Sequence, residues 1–388
     1  MKAPEIPGDQ ARPIPPNAVR EGEVPAPWVE RLTASANQRS GRGLQRSISP
    51  PSGLDFCSND YLGLRRDARL AQAGAEAAHE FGSGSGAARL LRGSTPLHDE
   101  LEAALAAWKQ QEACLLFNTG FQANATLIPA LVRAGDAVFS DALNHASLVD
   151  GCRMAKAGGA HVGIHRHLDL GNLAAQIRAW RASSKGLVLV VTDGIFSMDG
   201  DAVDLPGLLE LCREQDALLL VDEAHATGLL GATGAGLAER QGVQGQVPLV
   251  MGTLGKALGG FGAFVAGSRL LREHLVNSAR GFIFSTALPP FVLGAAIKAV
   301  ELAQSERWRA ARALEFAERV RGSLGLLHQD SAIVPLVVGD KAAPCRSLPA
   351  CRPRALMYAP CERPPSPWAP PVCGSPPGRT WRMPRWTQ

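Results

Sequence analysis

The chain has 388 residues, 46% of them hydrophobic and 20% charged, with a formal net charge of +4. That length supports a large core and two or three domains, and the composition is that of a soluble globular protein. No apolar run approaches the ~18–20 residues of a membrane-spanning helix, and the proline-rich start, Met1 to Pro27, lacks the apolar centre of a secretory signal, so a cytoplasmic protein with no membrane partner is expected.

The positive charge is local. From Lys341 to Gln388 eight Lys or Arg face one acid, Glu362, leaving 32 basic and 35 acidic residues before Lys341. The body of the chain therefore offers no basic footprint for nucleic acid. Its cysteines, Cys57, Cys114, Cys152 and Cys212, show no CxxC spacing and read as reduced thiols with no metal site.

Residues 1–53 read as an N-terminal arm with a short helix and loop over Trp28–Gln45. Leu54–Leu64 contains the turn-rich Asn59-Asp60-Tyr61-Leu62-Gly63. Ala68–His79 reads as helix and is broken by Phe81-Gly82-Ser83-Gly84-Ser85-Gly86. No strand precedes that glycine run, so it is not a dinucleotide fingerprint and reads as a loop near a substrate entrance. Leu97–Trp108 places Leu97, Leu101, Ala104, Leu105 and Trp108 on one helical face.

From Ala113 onward short apolar runs alternate with helical stretches. Cys114–Phe117, Ala137–Ser140, Leu187–Thr192, Leu218–Val221, Leu249–Met251 and Ala263–Ala266 read as strands buried on both faces. Gln122–Val132, Ser147–Ala157, Leu173–Ala182 and Leu205–Glu214 read as helices between them. This alternation predicts an α/β fold, a mostly parallel central sheet wrapped by helices. Ligands of such sheets collect at the carboxyl ends of the strands, and Thr119-Gly120-Phe121, Asn144-His145, Ser197, Asp222–His225 and Thr253–Lys256 all fall there. Phe291–Leu324 reads as helical and Ala332–Val338 as the first strand of a smaller α+β domain.

The segment Met251-Gly252-Thr253-Leu254-Gly255-Lys256-Ala257-Leu258-Gly259-Gly260 carries one lysine and no other charge. Glycine leaves room for a planar group against the backbone, and a poorly hydrated lysine has an amine able to form a Schiff base. A solvated surface lysine is the plain alternative. Upstream, the apolar run Ala217–Val221 delivers Asp222 at its tip. An Asp to hold a pyridine nitrogen protonated and a Lys to carry an aldehyde as an imine together suit pyridoxal 5'-phosphate.

Cys57-Ser58-Asn59-Asp60-Tyr61-Leu62-Gly63-Leu64, Asn144-His145-Ala146-Ser147-Leu148-Val149-Asp150-Gly151, Phe196-Ser197-Met198-Asp199-Gly200-Asp201, Asp222-Glu223-Ala224-His225 and Thr253-Leu254-Gly255-Lys256 resemble, in order, the signatures of the α-oxoamine synthase family of pyridoxal-phosphate enzymes. The match runs from about Asp55 to about Gly339 and implies a fold type I transferase, an acyltransferase working as a homodimer. Arg92–His98 and Phe282–Pro290 resemble the branch that serves biotin biosynthesis and joins L-alanine to a pimeloyl thioester on CoA or a carrier protein. The alternatives are a glycine-using branch, or a remnant that only binds cofactor.

The resemblance implies roles for single residues. Lys256 holds the cofactor and removes the Cα proton. Asp222 pairs with the pyridinium nitrogen, where a helix-capping Asp is the plain alternative. His145 stacks on the ring and positions the acyl substrate; His225 bonds the cofactor's phenolic oxygen. Ser197 reaches the same side of the ring or merely forms a turn. The amides of Thr119, Gly120 and Phe121 at a helix start hold the phosphate, with the Thr253 hydroxyl added and Ser285-Thr286 reaching the partner's phosphate. Lys256, His145, Asp222 and His225 form the expected catalytic set.

Two departures stand out. Asp193 replaces the Glu usual before Gly194, a shorter acid expected to loosen a contact behind the site, and a substrate-contacting arginine falls at either Arg39 or Arg42. The larger departure is the end of the chain. The resemblance divides the sequence into an arm (1–53), a large cofactor domain (54–288), the start of a small domain (289–340) and an aberrant, disordered tail (341–388). Those last 48 residues hold twelve prolines and three tryptophans and do not suit the rest of a small domain. Family members have there a loop reading roughly V-R-P-P-T-V-P-x-G-T-A-R-L-R, whose arginine holds the amino-acid carboxylate. Reading the third base of each tail codon with the first two of the next, Cys361–Glu362 yields arginine or a stop, Trp368–Ala369 glycine, and Cys373–Gly374 arginine or tryptophan. That frame permits V-R-A-P-P-V-P-V-G-T-A-R-L-R. The tail is therefore expected to be an out-of-frame reading after loss of one nucleotide near codon 340; a genuine proline-rich extension is the alternative.

Overall fold

The computed structural model describes residues 24–41, 46, 48, 54–336 and 356–357. These fall into two units. One holds the described residues through Cys57 together with Leu336 and residues 356–357: helix α1 (Ala26–Gly41) and the two-residue strands β1 (Leu54–Asp55) and β9 (Leu356–Met357), paired in parallel. Arg39 is exposed on α1; Arg42, the leader before residue 24 and nearly all of the tail lie outside the described residues.

The other unit, Ser58–Pro335, is built on seven strands: β2 (Ala113–Phe117), β3 (Ala137–Asp141), β4 (His161–His165), β5 (Val188–Asp193), β6 (Ala217–Asp222), β7 (Leu249–Thr253) and β8 (Ala263–Gly267). Their order is β2-β8-β7-β6-β5-β3-β4. β8 runs antiparallel to both neighbours and the other pairs are parallel. Fully burying one Val, Leu, Ile or Phe stabilises by roughly 1.5–3 kcal/mol, so strands with unbroken apolar runs belong in the centre. β3 and β5 are buried at every position.

Helices cover both faces: α2 (Ala68–Phe81), α3 (Pro96–Lys109), α4 (Gly120–Leu131), α5 (Ala146–Ala157), α6 (Leu170–Arg181), α7 (Leu205–Glu214), α8 (Leu237–Arg240), α9 (Arg269–Ser278), α10 (Arg280–Ile283), α11 (Pro290–Ser305) and α12 (Trp308–Leu324). Alternation along the strands sorts the core into two layers. Leu116, Phe139, Val190 and Val221 pack with α3, α6, α7 and α11. Leu115, Val138, Val191 and Leu220 pack with α4, α5 and α9.

All six expected strands and all six expected helices of this α/β body are present, and β4 is an addition. The helical stretch over Phe291–Leu324 is two helices, with α12 starting after Arg307, whose guanidinium donates to the carbonyls of Gly228, Leu229 and Gly231. α11 lies directly on α2. Gly74 and Gly294 allow that approach: a Cβ on Gly294 would stand 2.6 Å from the Ala73 carbonyl oxygen, and one on Gly74 2.8 Å from that of Phe291. One expectation is corrected. Over the described part of Ala332–Val338, residues 332–336 form no strand, because Arg321 takes the carbonyls of Ser331 and Ile333 that a neighbouring strand would need.

Candidate active site

The carboxyl ends of β5, β6 and β7 carry Asp193, Asp222 and Thr253, with Asp193 and Asp222 paired in register and Asp222 paired with Met251. Asp222 is buried. Its Oδ2 accepts from the Asn124 side-chain amide at 2.7 Å and its Oδ1 from the Ala224 N–H at 2.9 Å. Both oxygens of this buried carboxylate are thus met by N–H donors.

Lys256 lies in the hairpin between β7 and β8. Leu254 N–H donates to Gly262 O at 2.9 Å and Gly260 N–H to Leu254 O at 2.8 Å, closing the loop. Gly259, at φ +64°, lies so near the Leu64–Arg65 backbone that a Cβ would stand 2.4 Å from the Arg65 nitrogen. The lysine loop thus rests on the early Asn59–Leu64 motif. Burial lowers the Lys256 amine below its ordinary value, against the pull of Asp222 and Asp193.

His145 leads α5, its Nδ1 accepting from Ser147 N–H at 3.2 Å and lying 2.7 Å from the Ser147 hydroxyl. That hydroxyl accepts from Asn124 at 3.0 Å, so one amide ties together Asp222 and the histidine's support. The His145 N–H donates to Asp193 Oδ2 at 2.7 Å. The shorter acid makes this contact from the end of β5, which lies next to the turn. Burial raises Asp193 well above the usual carboxylate range, and Asp222 adds to that. Burial lowers His145 and lowers His225 further, where Lys256 and His145 also contribute.

His225 Nδ1 is 2.8 Å from the Tyr61 hydroxyl. Sequence reasoning assigned no role to Tyr61, although it is one of only two tyrosines and sits in a quoted motif. Asn124 was also missed; with Gln122 and Thr126 it is one of three polar residues on a mostly apolar helix. Thr119 caps α4, its hydroxyl accepting from Gln122 N–H at 3.0 Å. Gly120 and Phe121 follow it in the first turn, where N–H groups have no intrahelical acceptor and suit an anion. Thr253 donates its hydroxyl to Gly262 O at 3.0 Å and accepts from Gly255 N–H at 3.1 Å, so in this conformation it serves the lysine loop. Ser197 lies in the turn after β5. Ser285 accepts from Gln122 Nε2 at 2.5 Å.

An amine of lowered basicity, a buried hydrogen-bonded carboxylate, two histidines and a capped helix start fit pyridoxal phosphate: aldehyde, ring nitrogen, ring and phosphate each have a complementary group. Comparison with known proteins agrees. The profile of the family described as aminotransferase class I and II matches residues 51–354. An 8-amino-7-oxononanoate synthase of Anaeromyxobacter dehalogenans (strain 2CP-1) is 49% identical, over 87% of this chain and 88% of that one. Another, from Geobacter sulfurreducens, is 45% identical over 80% of this chain and 83% of that one. Among solved structures, a serine palmitoyltransferase from S. paucimobilis with bound PLP has a TM-score of 0.73 at 29% identity, covering 81% of this chain and 86% of that one. The 8-amino-7-oxononanoate synthase of Francisella tularensis has a TM-score of 0.59 at 27% identity, over 73% and 79% of the two chains. The chain belongs to the aminotransferase class I and II family and, within it, to the pyridoxal-phosphate-dependent acyltransferases of the 8-amino-7-oxononanoate synthase type.

Proposed function

We propose that the protein condenses L-alanine with a pimeloyl thioester, on CoA or a carrier protein, releasing the thiol and carbon dioxide and forming 8-amino-7-oxononanoate for biotin biosynthesis. The convergence of Lys256, Asp222, His145 and His225 at one sheet edge carries this reading, and the similarity to named 8-amino-7-oxononanoate synthases supports it.

Pyridoxal phosphate, when bound, supplies a ring that stabilises negative charge on the amino-acid α-carbon. Asp222 keeps the proton on the ring nitrogen. Lys256 Nζ would hold the aldehyde, and its lowered basicity suits it to take the α-proton. His145 faces the ring and orients the thioester, while His225, held by Tyr61, donates toward the phenolic oxygen. Ser197 lies on that same side, and the amides of Gly120 and Phe121 behind the Thr119 cap hold the phosphate, with Thr253 supporting the lysine loop. The new bond joins the alanine α-carbon to the thioester carbonyl carbon. The thiolate leaves, the carboxylate departs as carbon dioxide, and a proton returns to the α-carbon. A cytoplasmic homodimer is part of the proposal, with Ser285-Thr286 near the partner's phosphate.

The test is turnover of the purified chain with PLP and pimeloyl-CoA, following carbon dioxide and free thiol. Release with alanine and not glycine supports the proposal. Release with glycine alone points to the glycine-using branch, and cofactor binding with no release from either points to a remnant.

A further inference from the structure

Outside the cofactor groups, a charged cluster centres on His167, in the loop between β4 and α6. Its Nδ1 lies 2.9 Å from Asp141 Oδ1 and its Nε2 3.0 Å from Asp201 Oδ2. A neutral imidazole has one N–H and the imidazolium two, so bridging both carboxylates requires the charged ring. Burial opposes that charge, but Asp141 and Asp201 outweigh it and raise His167 to about 9. The edge of the ring meets buried Phe196 at 4.5 Å between centroids.

Each carboxylate belongs to a different turn of the active site. Asp141 ends β3 and accepts from Leu143 N–H at 2.8 Å, at the start of the turn that delivers His145. Its other oxygen accepts from Leu168 N–H at 2.8 Å. Leu168 sits at φ +55°, a left-handed conformation unfavourable for a residue with a side chain that persists where its surroundings impose it. Asp201 closes the turn that carries Ser197: Phe196 N–H donates to Asp201 O at 3.0 Å and Gly200 N–H to Phe196 O at 2.8 Å. The other titratable groups on His167's own segment are His165, buried with its basicity lowered, and Asp169, paired with Arg166 at 2.7 Å.

We propose that His167 is a positioning residue: by bridging Asp141 and Asp201 it sets the His145 turn and the Ser197 turn in one geometry, and so governs how tightly pyridoxal phosphate is held. This rests on the reading of His145 and Ser197 as cofactor-side residues. The test compares the full-length chain with His167→Phe, which keeps a ring against Phe196 but no N–H, and with Asp201→Asn. Each is titrated with PLP between about pH 6 and 10, following the absorbance of lysine-bound cofactor. Hydrogen exchange is read over residues 141–145 and 195–202.

The expected results are weaker binding by H167F, roughly tenfold at neutral pH, and joint loss of protection in the two turns. The wild type should weaken as pH rises through about 9; D201N should move that midpoint down, and H167F should lack it. The Lys256 contribution is common to all three and cancels in the comparison. If H167F does not fold, the D201N midpoint decides. A wild type with bound cofactor, matched by its variants in affinity and pH profile, overturns the inference alone. A wild type that binds no cofactor overturns the site reading and the inference with it.

Discussion

The Asn124 side-chain amide donates to Asp222 Oδ2 at 2.7 Å, across 98 positions of sequence. Helix α4 thus presents, from its first turn, the amides proposed to hold the phosphate and, one turn later, the donor that meets the Asp222 carboxylate. Hydrogen bonds to charged groups contribute about 1.5–3 kcal/mol, so Asn124→Ala is expected to weaken PLP binding roughly 10- to 150-fold. Absorbance titration checks this; circular dichroism should remain that of the wild type.

Lys256→Ala should abolish the absorbance of lysine-bound cofactor and reduce turnover by at least about 10²–10⁴-fold. The neighbouring charge sets a pH effect. Burial lowers the Lys256 amine from its ordinary 10.5, and Asp222 opposes the shift. Removing that negative charge in Asp222→Asn leaves the ammonium less favoured, so the pH midpoint of the lysine–cofactor absorbance should move down. A midpoint that stays or rises contradicts the assignment.

Tyr61→Phe deletes the hydroxyl that meets His225 Nδ1 at 2.8 Å. One net hydrogen bond of about 0.5–1.5 kcal/mol is lost. A drop in kcat/KM of roughly 2- to 12-fold is expected, with the melting temperature lowered by only a few degrees. Steady-state kinetics with alanine and a pimeloyl thioester give the answer.

Behind the site, buried Lys109 donates to Glu223 Oε2 at 2.6 Å and to the Thr227 hydroxyl at 2.8 Å. Glu223 Oε1 accepts from Ala238 N–H at 2.8 Å. Lys109→Met leaves a buried carboxylate without its cation, and breaking such a pair costs about 3–5 kcal/mol. Urea unfolding should show that loss, and Lys109→Met with Glu223→Gln should regain part of it.

The tail makes a prediction about DNA. The nucleotide sequence over codons 335–345, read from fresh genomic DNA, should contain one base more than this chain implies and restore the V-P-x-G-T-A-R-L-R frame. An unchanged genomic reading would instead leave an enzyme expected at most to bind cofactor.

The sequence by itself determined the α/β class, the positions of six of the seven strands of the large sheet, and the local motifs bearing His145, Ser197, Asp222, His225 and Lys256. Unbroken apolar runs are forced inward, and polar residues at their ends are left at one edge of the sheet. β4 escaped notice because its sequence, HVGIH, carries two histidines and a glycine. It is a strand because it pairs with β3 along one edge only, and its Gly163 makes room for Phe139, whose ring would lie 2.5 Å from a Cβ there. Only the tertiary structure decided the strand order, the reversal of β8, and the meeting of Tyr61 with His225, Asn124 with Asp222, and His167 with Asp141 and Asp201. Periodicity reports which face of an element is buried. It does not report which distant polar group arrives there to satisfy a buried charge, since that depends on how the layers stack.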